Sequence, residues 1–326
     1  MRQTTTETGL IAVEFDGSPR SGKGTSAKHL ERVFPRTRTA ETGKLYRAIT
    51  FLALRTGLIE PGMTESDVAT NLSSLTAEQT EDMAFDMERV VNVHGESVLY
   101  DRDVAGLVGK VSPLVAVREG VKSRFRDDLT RMVADDGISM VILDGRNLAA
   151  VARQVEGLEI IQRTFFVCSD NEAANRELAR HLAELEDKGL PTLDEDAKEE
   201  YIVAKVHELV ERRHQDESRG NDPVKPEPDA IRYWDHPGIL EHTINAYILE
   251  GNMTYRQARD EVSGENHYRY GRIGAGAIAY SQGQADKGEA RQVLFDTNAC
   301  SLLAMQRYTE RMVSEARAQR AEIRKL

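Results

Sequence analysis

The segment that most constrains this 326-residue chain lies near its N-terminus. Leu10 to Asp16 is rich in apolar and β-branched residues and reads as a buried strand. Gly17-Ser18-Pro19-Arg20-Ser21-Gly22-Lys23-Gly24-Thr25 follows, and Ala27, Leu30, Val33 and Phe34 then recur at helical spacing over Thr25 to Phe34. The loop carries the G-x-x-x-x-G-K pattern. Its glycines let backbone N–H groups turn inward around an anion, and the helix behind them adds partial positive charge. Lys23 is placed to reach the outer phosphates of a bound nucleotide. A chance glycine turn is the bland alternative, but it would not need a strand before it and a helix after it. Strand, glycine loop and helix together open a nucleotide-binding α/β domain.

The rest of the chain continues the alternation. A helix is predicted over Leu45 to Thr56, with Gly57 placed to end it. Residues 64–82 read as helical or irregular, with Thr64 as an N-cap. Two β-prone runs, about 88–93 and 97–100, flank His94-Gly95 and suggest a hairpin. A charged helix is predicted over Val117 to Val133, then a buried strand over 138–143 that ends at Asp144-Gly145-Arg146. Residues 164–168 read as a third strand, and 171–187 as a charged helix. Strands alternating with helices imply a parallel sheet covered on both faces. Residues 263–288 read as a loop or linker. From 296 to 325 helical pattern returns through Leu302, Met305, Met312, Ala316 and Ile323. A helix folded back onto the core is the expectation there, and dimerisation through that seam the alternative.

Composition limits the partners. With 43 basic and 54 acidic residues the net charge is −11, which argues against bulk electrostatic binding to nucleic acid or an anionic membrane. A local basic pocket remains compatible with it. The two cysteines, Cys168 and Cys300, lack metal-site spacing and read as core thiols in a reducing compartment. No stretch approaches the roughly 18 apolar residues of a membrane span, and the first nine residues form no secretory signal, so a cytoplasmic location is expected.

Finer motifs add a resemblance. Gly22-Lys23-Gly24-Thr25 has glycine after the lysine and the hydroxyl one place later, the form found in nucleoside monophosphate kinases. Glu41-Thr42-Gly43-Lys44-Leu45-Tyr46-Arg47 resembles Asp-Ser-Gly-x-x-Tyr-Arg of the cytidylate kinase family, and Asp144-Gly145-Arg146-Asn147 resembles its Asp-Gly-Arg-Asp. Val111-Ser112-Pro113 through Val117-Arg118-Glu119 resembles its Val-Ser…Val-Arg stretch. Arg212, Asp216 and Arg219 fall at the R-x-x-x-D-x-x-R spacing of its lid, followed by Pro223-Val224-Lys225-Pro226 and Asp229-Ala230-Ile231. All lie in family order across about residues 10–250. The resemblance implies a P-loop NTPase fold, a parallel sheet flanked by helices. It divides the chain into a kinase domain over 1–250 and a C-terminal extension over 251–326, linker then helix. Within the kinase domain it implies a nucleotide-acceptor insert at about 62–112 with a small antiparallel sheet, and a lid at about 210–224.

What the resemblance implies for chemistry is ATP-dependent phosphorylation of a pyrimidine nucleoside monophosphate, CMP or dCMP first. UMP or another acceptor is the alternative within the class, and a non-catalytic nucleotide-binding regulator the alternative outside it. Such transfer needs positioning and neutralised charge more than covalent help. Arginine suits the task because its planar fork grips two oxygens and stays charged when buried. The loop Gly17 to Thr25, with Lys23, would cradle ATP. Arg47, Arg146 and Arg219 would hold the acceptor phosphate and the transferring group, and Arg212 and Asp216 the acceptor ribose. Thr42, Ser112, Arg118 and Asn147 would read the base. Asn147 stands where the family has aspartate, and its amide donates as well as accepts, which blunts discrimination of cytosine from uracil. Thr25 and Asp144 would hold Mg²⁺, directly or through water; for Asp144 a turn-capping carboxylate is the alternative. Arg180 would pack near the adenine or lie solvated on its helix. Arg20 replaces a usual glycine and would be strained at positive φ. An outward, solvent-facing side chain is expected there, with approach to the ATP phosphates the alternative. Small-molecule nucleotides are the only partners implied; the chain would be a monomer, or a homodimer through its C-terminal helix.

Overall fold

A computed structural model describes residues 9–135, 137–218, 226–227, 230–233, 279–280, 282–284, 290–297 and 302–325. Six strands form one sheet: β1 Leu10–Gly17, β2 Thr37–Glu41, β3 Met140–Asp144, β4 Leu158–Val167, β5 Ile231–Tyr233 and β6 Gln292–Asp296. Their order is β2-β3-β1-β4-β6-β5, and every neighbouring pair is parallel. β1 is buried along its whole length, as expected of a central parallel strand covered on both faces. Alternation divides its side chains. Leu10 and Ala12 enter the core shared with α2 Thr42–Arg55 and α7 Val115–Val133. Ile11, Val13 and Phe15 enter the opposite core, shared with α1 Lys23–Val33 and the C-terminal helix Leu302–Ile323.

The predicted parallel sheet is present, but three strands escape the sequence. β2 is a polar edge strand in which only Ala40 is buried. β5 has three residues, too few for a periodic signal. β6 lies between the segment read as linker and the terminal helix, so the region expected as linker then helix also supplies a strand. That strand sits between β4 and β5. Most of 263–288 lies outside the described residues.

The hairpin expected at 88–100 is corrected. Those residues form α5 Met87–His94 and a 3-10 helix, Glu96–Tyr100, after α3 Glu65–Asn71 and α4 Ala77–Phe85. Among the described residues the insert contains no strand, so the small antiparallel sheet is absent from them. Val90 is buried in a cluster with Ala48 and Leu99, against which Met87 and Val91 also pack. This helical spacing overrides the β preference of the valines. Gly95, at φ 83°, ends the helix with its N–H on Val91 O. Thr64 caps α3 as expected: its Oγ1 accepts from Asp67 N at 3.2 Å, and Asp67 Oδ2 accepts from Thr64 N at 3.1 Å.

Past the insert run α6 Arg102–Val111, α7, the short α8 Ala149–Ala152, α9 Asp170–Asp187 and α10 Glu195–Ser218. α10 packs along α9, with Tyr201 stacked on His181 at 5.1 Å. The C-terminal helix, α11, folds back onto α1. Met305, Met312, Val313 and Ala316 are buried there, and His29 pairs with Glu310 at 2.9 Å. Met305, Met312 and Ala316 of the apolar seam are thus spent within the chain, as the fold-back expectation has it, while Ile323 stays 38% exposed. Cys168 is half-buried; Cys300 lies outside the described residues. No described helix is long and apolar enough to cross a membrane.

Candidate active site

Ligand sites in parallel sheets lie beyond the carboxyl ends of the strands, and the glycine loop leaves β1 at that edge. Gly17 has φ 124°, and a Cβ there would fall 2.0 Å from Phe166 O, so the loop's close approach to β4 admits only glycine. At Gly22, φ 100°, a Cβ would strike Met305 Sδ of α11 at 2.2 Å. Lys23 Nζ donates to Gly17 O and Ser18 O, both at 2.8 Å, and Ser21 Oγ donates to Ser18 O at 2.7 Å. From the far side, Thr297 at the end of β6 donates through Oγ1 to Ser21 O at 3.0 Å. Pro19 and Gly24 complete the turn, and Thr25 is half-buried in the first turn of α1.

Two acidic groups lie beside this loop. Asp144 ends β3, in register with Phe15 of β1 and Glu41 of β2. Its carboxylate faces the first turn of α1, 3.7 Å from where a Gly24 Cβ would be. Burial pushes its pKa up to about 6 against the pull of Lys23. Asp16, which sequence reasoning did not single out, joins the loop to the turn after β3. Its Oδ1 accepts from Gly17 N at 2.6 Å and its Oδ2 from Asn147 N at 3.0 Å. Burial raises its pKa too, with Lys23 and Arg146 opposing the shift. Glu14 was also missed. Fully buried, it accepts from Ala149 N at 2.6 Å and from Arg163 Nε at 2.9 Å, while Arg163 pairs in turn with Glu227 at 2.8 Å. A carboxylate inside an apolar strand was the only sequence signal for either residue.

The turn itself places Asn147 at φ 51°, a left-handed conformation that asparagine tolerates. Thr42 is buried against this turn: a Cβ on Gly145 would meet its Oγ1 at 2.5 Å. Arg118 and Arg146 both lie within electrostatic reach of Tyr46, and Arg146 also of Asp16. Arg47 donates to Leu99 O at 3.2 Å and lies over the Tyr100 ring at 4.9 Å. Lys44 beside it bridges Glu41 at 3.1 Å and Glu96 at 3.0 Å. Ser112, half-buried, ends α6.

Arg20 keeps the exposed side chain expected of it, 46% open to solvent, but that side chain is also ion-paired. It takes φ 59° and pairs through Nε with Glu177 Oε2 at 2.5 Å, within electrostatic reach of Arg47. Arg180 shares Glu177 and lies 3.6 Å from Glu184, so it is ion-paired along α9. Arg212 and Asp216 belong to the last turns of α10, and their side chains, like Arg219, lie outside the described residues. At the carboxyl edge of the sheet, Lys23 and Arg146 thus share Asp16, Arg146 and Arg118 share Tyr46, and Arg47 lies within reach of Arg20.

Among the described residues no group of three or more His, Cys, Asp or Glu could hold a metal ion. The donors present, the Asp144 carboxylate facing the helix turn that carries Thr25, suit a hard cation taking its remaining ligands from phosphate and water.

Comparison with known proteins agrees with this geometry. A family model described as cytidylate kinase matches residues 11–236. The cytidylate kinase of Streptococcus sanguinis is 32% identical over 243 residues, which cover 74% of this chain and 95% of the relative. That of Chlorobaculum tepidum is 30% identical over 253 residues, 76% and 96% of the two chains. With a phosphate loop, a parallel sheet and linked arginines already in place, these matches mean that the chain belongs to the cytidylate kinase family and is a nucleoside monophosphate kinase.

Proposed function

We propose that the chain phosphorylates a pyrimidine nucleoside monophosphate, with CMP and dCMP as the preferred acceptors and ATP as donor. The chain of electrostatic links from Lys23 through Asp16 to Arg146, through Tyr46 to Arg118, and from Arg20 of the loop to Arg47 supports this reading. The loop Gly17 to Thr25 wraps the donor phosphates through its N–H groups, and Lys23 leaves its two loop carbonyls to neutralise them. Arg47 and Arg146, with Arg219 from the lid, hold the acceptor phosphate in line with the γ-phosphorus. An acceptor oxygen then bonds to phosphorus while the bond to the leaving ADP oxygen breaks. Thr25 and Asp144 would hold Mg²⁺, which when bound screens charge on the phosphate oxygens.

Thr42, Ser112, Arg118 and Asn147 read the base, and Arg212 and Asp216 the ribose. Because the Asn147 N–H is fixed on Asp16, its side chain amide is left to select by donating or accepting. UMP is the second reading, favoured by that same ambivalent amide. An ADP-release assay of the full chain across ribo- and deoxynucleoside monophosphates decides. Faster turnover of UMP than of CMP overturns the acceptor assignment; ATP binding without turnover of any monophosphate supports a regulator.

A further inference from the structure

Arg20 is the one loop residue whose own backbone argues against it. At φ 59° a Cβ is unfavourable and glycine is not, so the loop's conformation does not call for arginine. The side chain leaves the loop toward α9, where Nε lies 2.5 Å and Nη2 3.1 Å from the two Glu177 oxygens. Its backbone carbonyl accepts from Arg176 Nη1 at 3.3 Å, and Arg176 also binds Thr297 at the end of β6. The residue is anchored by its main chain while its cation, 46% exposed, lies against α9 within electrostatic reach of Arg47 on the acceptor helix α2.

Three charges around it define what it can do. Arg47 lies within electrostatic reach and repels it, Glu208 of α10 attracts it, and Arg180 repels it across the shared Glu177 carboxylate. Two arginines brought together at a phosphate site are relieved when anionic oxygens come between them. Glu177 supplies that relief between Arg20 and Arg180, and among the described residues it makes no contact that reaches across to Arg47. Its side chain is only 11% exposed, so leaving it unpaired would be costly. Arg180 removes the difficulty, because it stays on Glu177 if Arg20 departs.

We infer that Arg20 is a further phosphate-binding cation of this site, exchanging between Glu177 and the phosphates of bound ATP. This rests on the kinase reading above. Glu177 is then a competitor for the guanidinium, and the two partners of one ion pair have opposite effects on the enzyme.

Calorimetric ATP titration and steady-state kinetics of the full chain test this with R20A, R20G, R20K and E177Q. R20A and R20G are expected to weaken ATP binding about tenfold and to lower kcat about 100-fold, as loss of one charge-assisted phosphate contact does. R20K recovers part of both, and E177Q tightens ATP binding. R20G melts no lower than R20A, since glycine relieves the left-handed backbone while lacking the same guanidinium; it keeps the test valid if R20A folds poorly. Wild-type ATP affinity and kcat in R20A and R20G overturn the inference, as do matching losses in R20A and E177Q, the signature of a mere tie to α9. If the wild-type chain turns over no monophosphate while R20A still weakens and E177Q still tightens ATP binding, the kinase reading fails and this inference stands.

Discussion

Ending the chain at residue 250, where the sequence divides it, is expected to abolish folding. The cut removes β6 from between β4 and β5, and α11 from the face of α1. Val293, Phe295, Met312 and Val313 have no exposed surface and Met305 only 4%. Full burial of side chains this size contributes about 1.5–3 kcal/mol each, so these five alone supply about 8–15 kcal/mol. A domain's entire stability is about 5–15 kcal/mol. The same cut uncovers Phe15, Leu30, Ile161 and Phe166, opens the ladder of β4, and removes the Thr297 bond to Ser21 O in the phosphate loop. Expression of residues 1–250, size-exclusion chromatography and urea unfolding followed by circular dichroism measure the effect. Aggregated protein, or protein without a cooperative transition, is the expected result. A single-site companion is Phe295→Ala, which loses contacts with Phe166 at 5.5 Å and Tyr308 at 6.1 Å and should cost about 3–5 kcal/mol. A soluble, cooperatively unfolding 1–250 fragment with full-chain stability would refute the reasoning.

Lys23→Met should keep the fold and lower kcat at least about 100-fold, because the loop loses the cation aimed at the donor phosphates; a wild-type rate removes Lys23 from the chemistry. Glu159→Gln tests the clamp between β4 and α11. Burial alone would raise the Glu159 pKa, but Tyr280, Arg320 and Arg324 outweigh it and hold it below the usual glutamate range. The ionised clamp therefore stabilises the fold at neutral pH and is lost as pH falls through the lowered folded value. The variant should lose about 1 kcal/mol at pH 7 and nothing once both chains are titrated below that value; equal losses at both pH values would contradict this. Thr64→Ala breaks the reciprocal cap of α3 and should cost about 1 kcal/mol in urea unfolding with kcat unchanged.

How much was legible follows from how far apart the interacting groups lie along the chain. The turn at Gly17–Lys23, the helix behind it and the Thr64 cap are set by residues a few positions apart, so their spacing already contains their geometry. β1 and β3 were legible for a similar reason, since burial on both faces demands a continuous apolar run. The valines of 88–93 misled because β preference is weak against a helical face that finds Ala48 and Leu99 to pack on.

The site is divided the same way. Lys23, Arg47 and Arg146 could be named from motifs, but the groups that hold the site together could not. Asp16 meets Asn147 across 131 residues, Arg20 meets Glu177 across 157, and Thr297 meets Ser21 across 276. Sequence by itself determined the phosphate loop, the parallel alternation of strands and helices, and the family. Tertiary structure alone decided that β6 completes the sheet, that α11 closes over the glycine turn, and that Glu177 holds the loop's extra arginine. Parallel strands must be joined by long crossovers, so the neighbours of a strand end are chosen by sheet order and register, which no local spacing encodes.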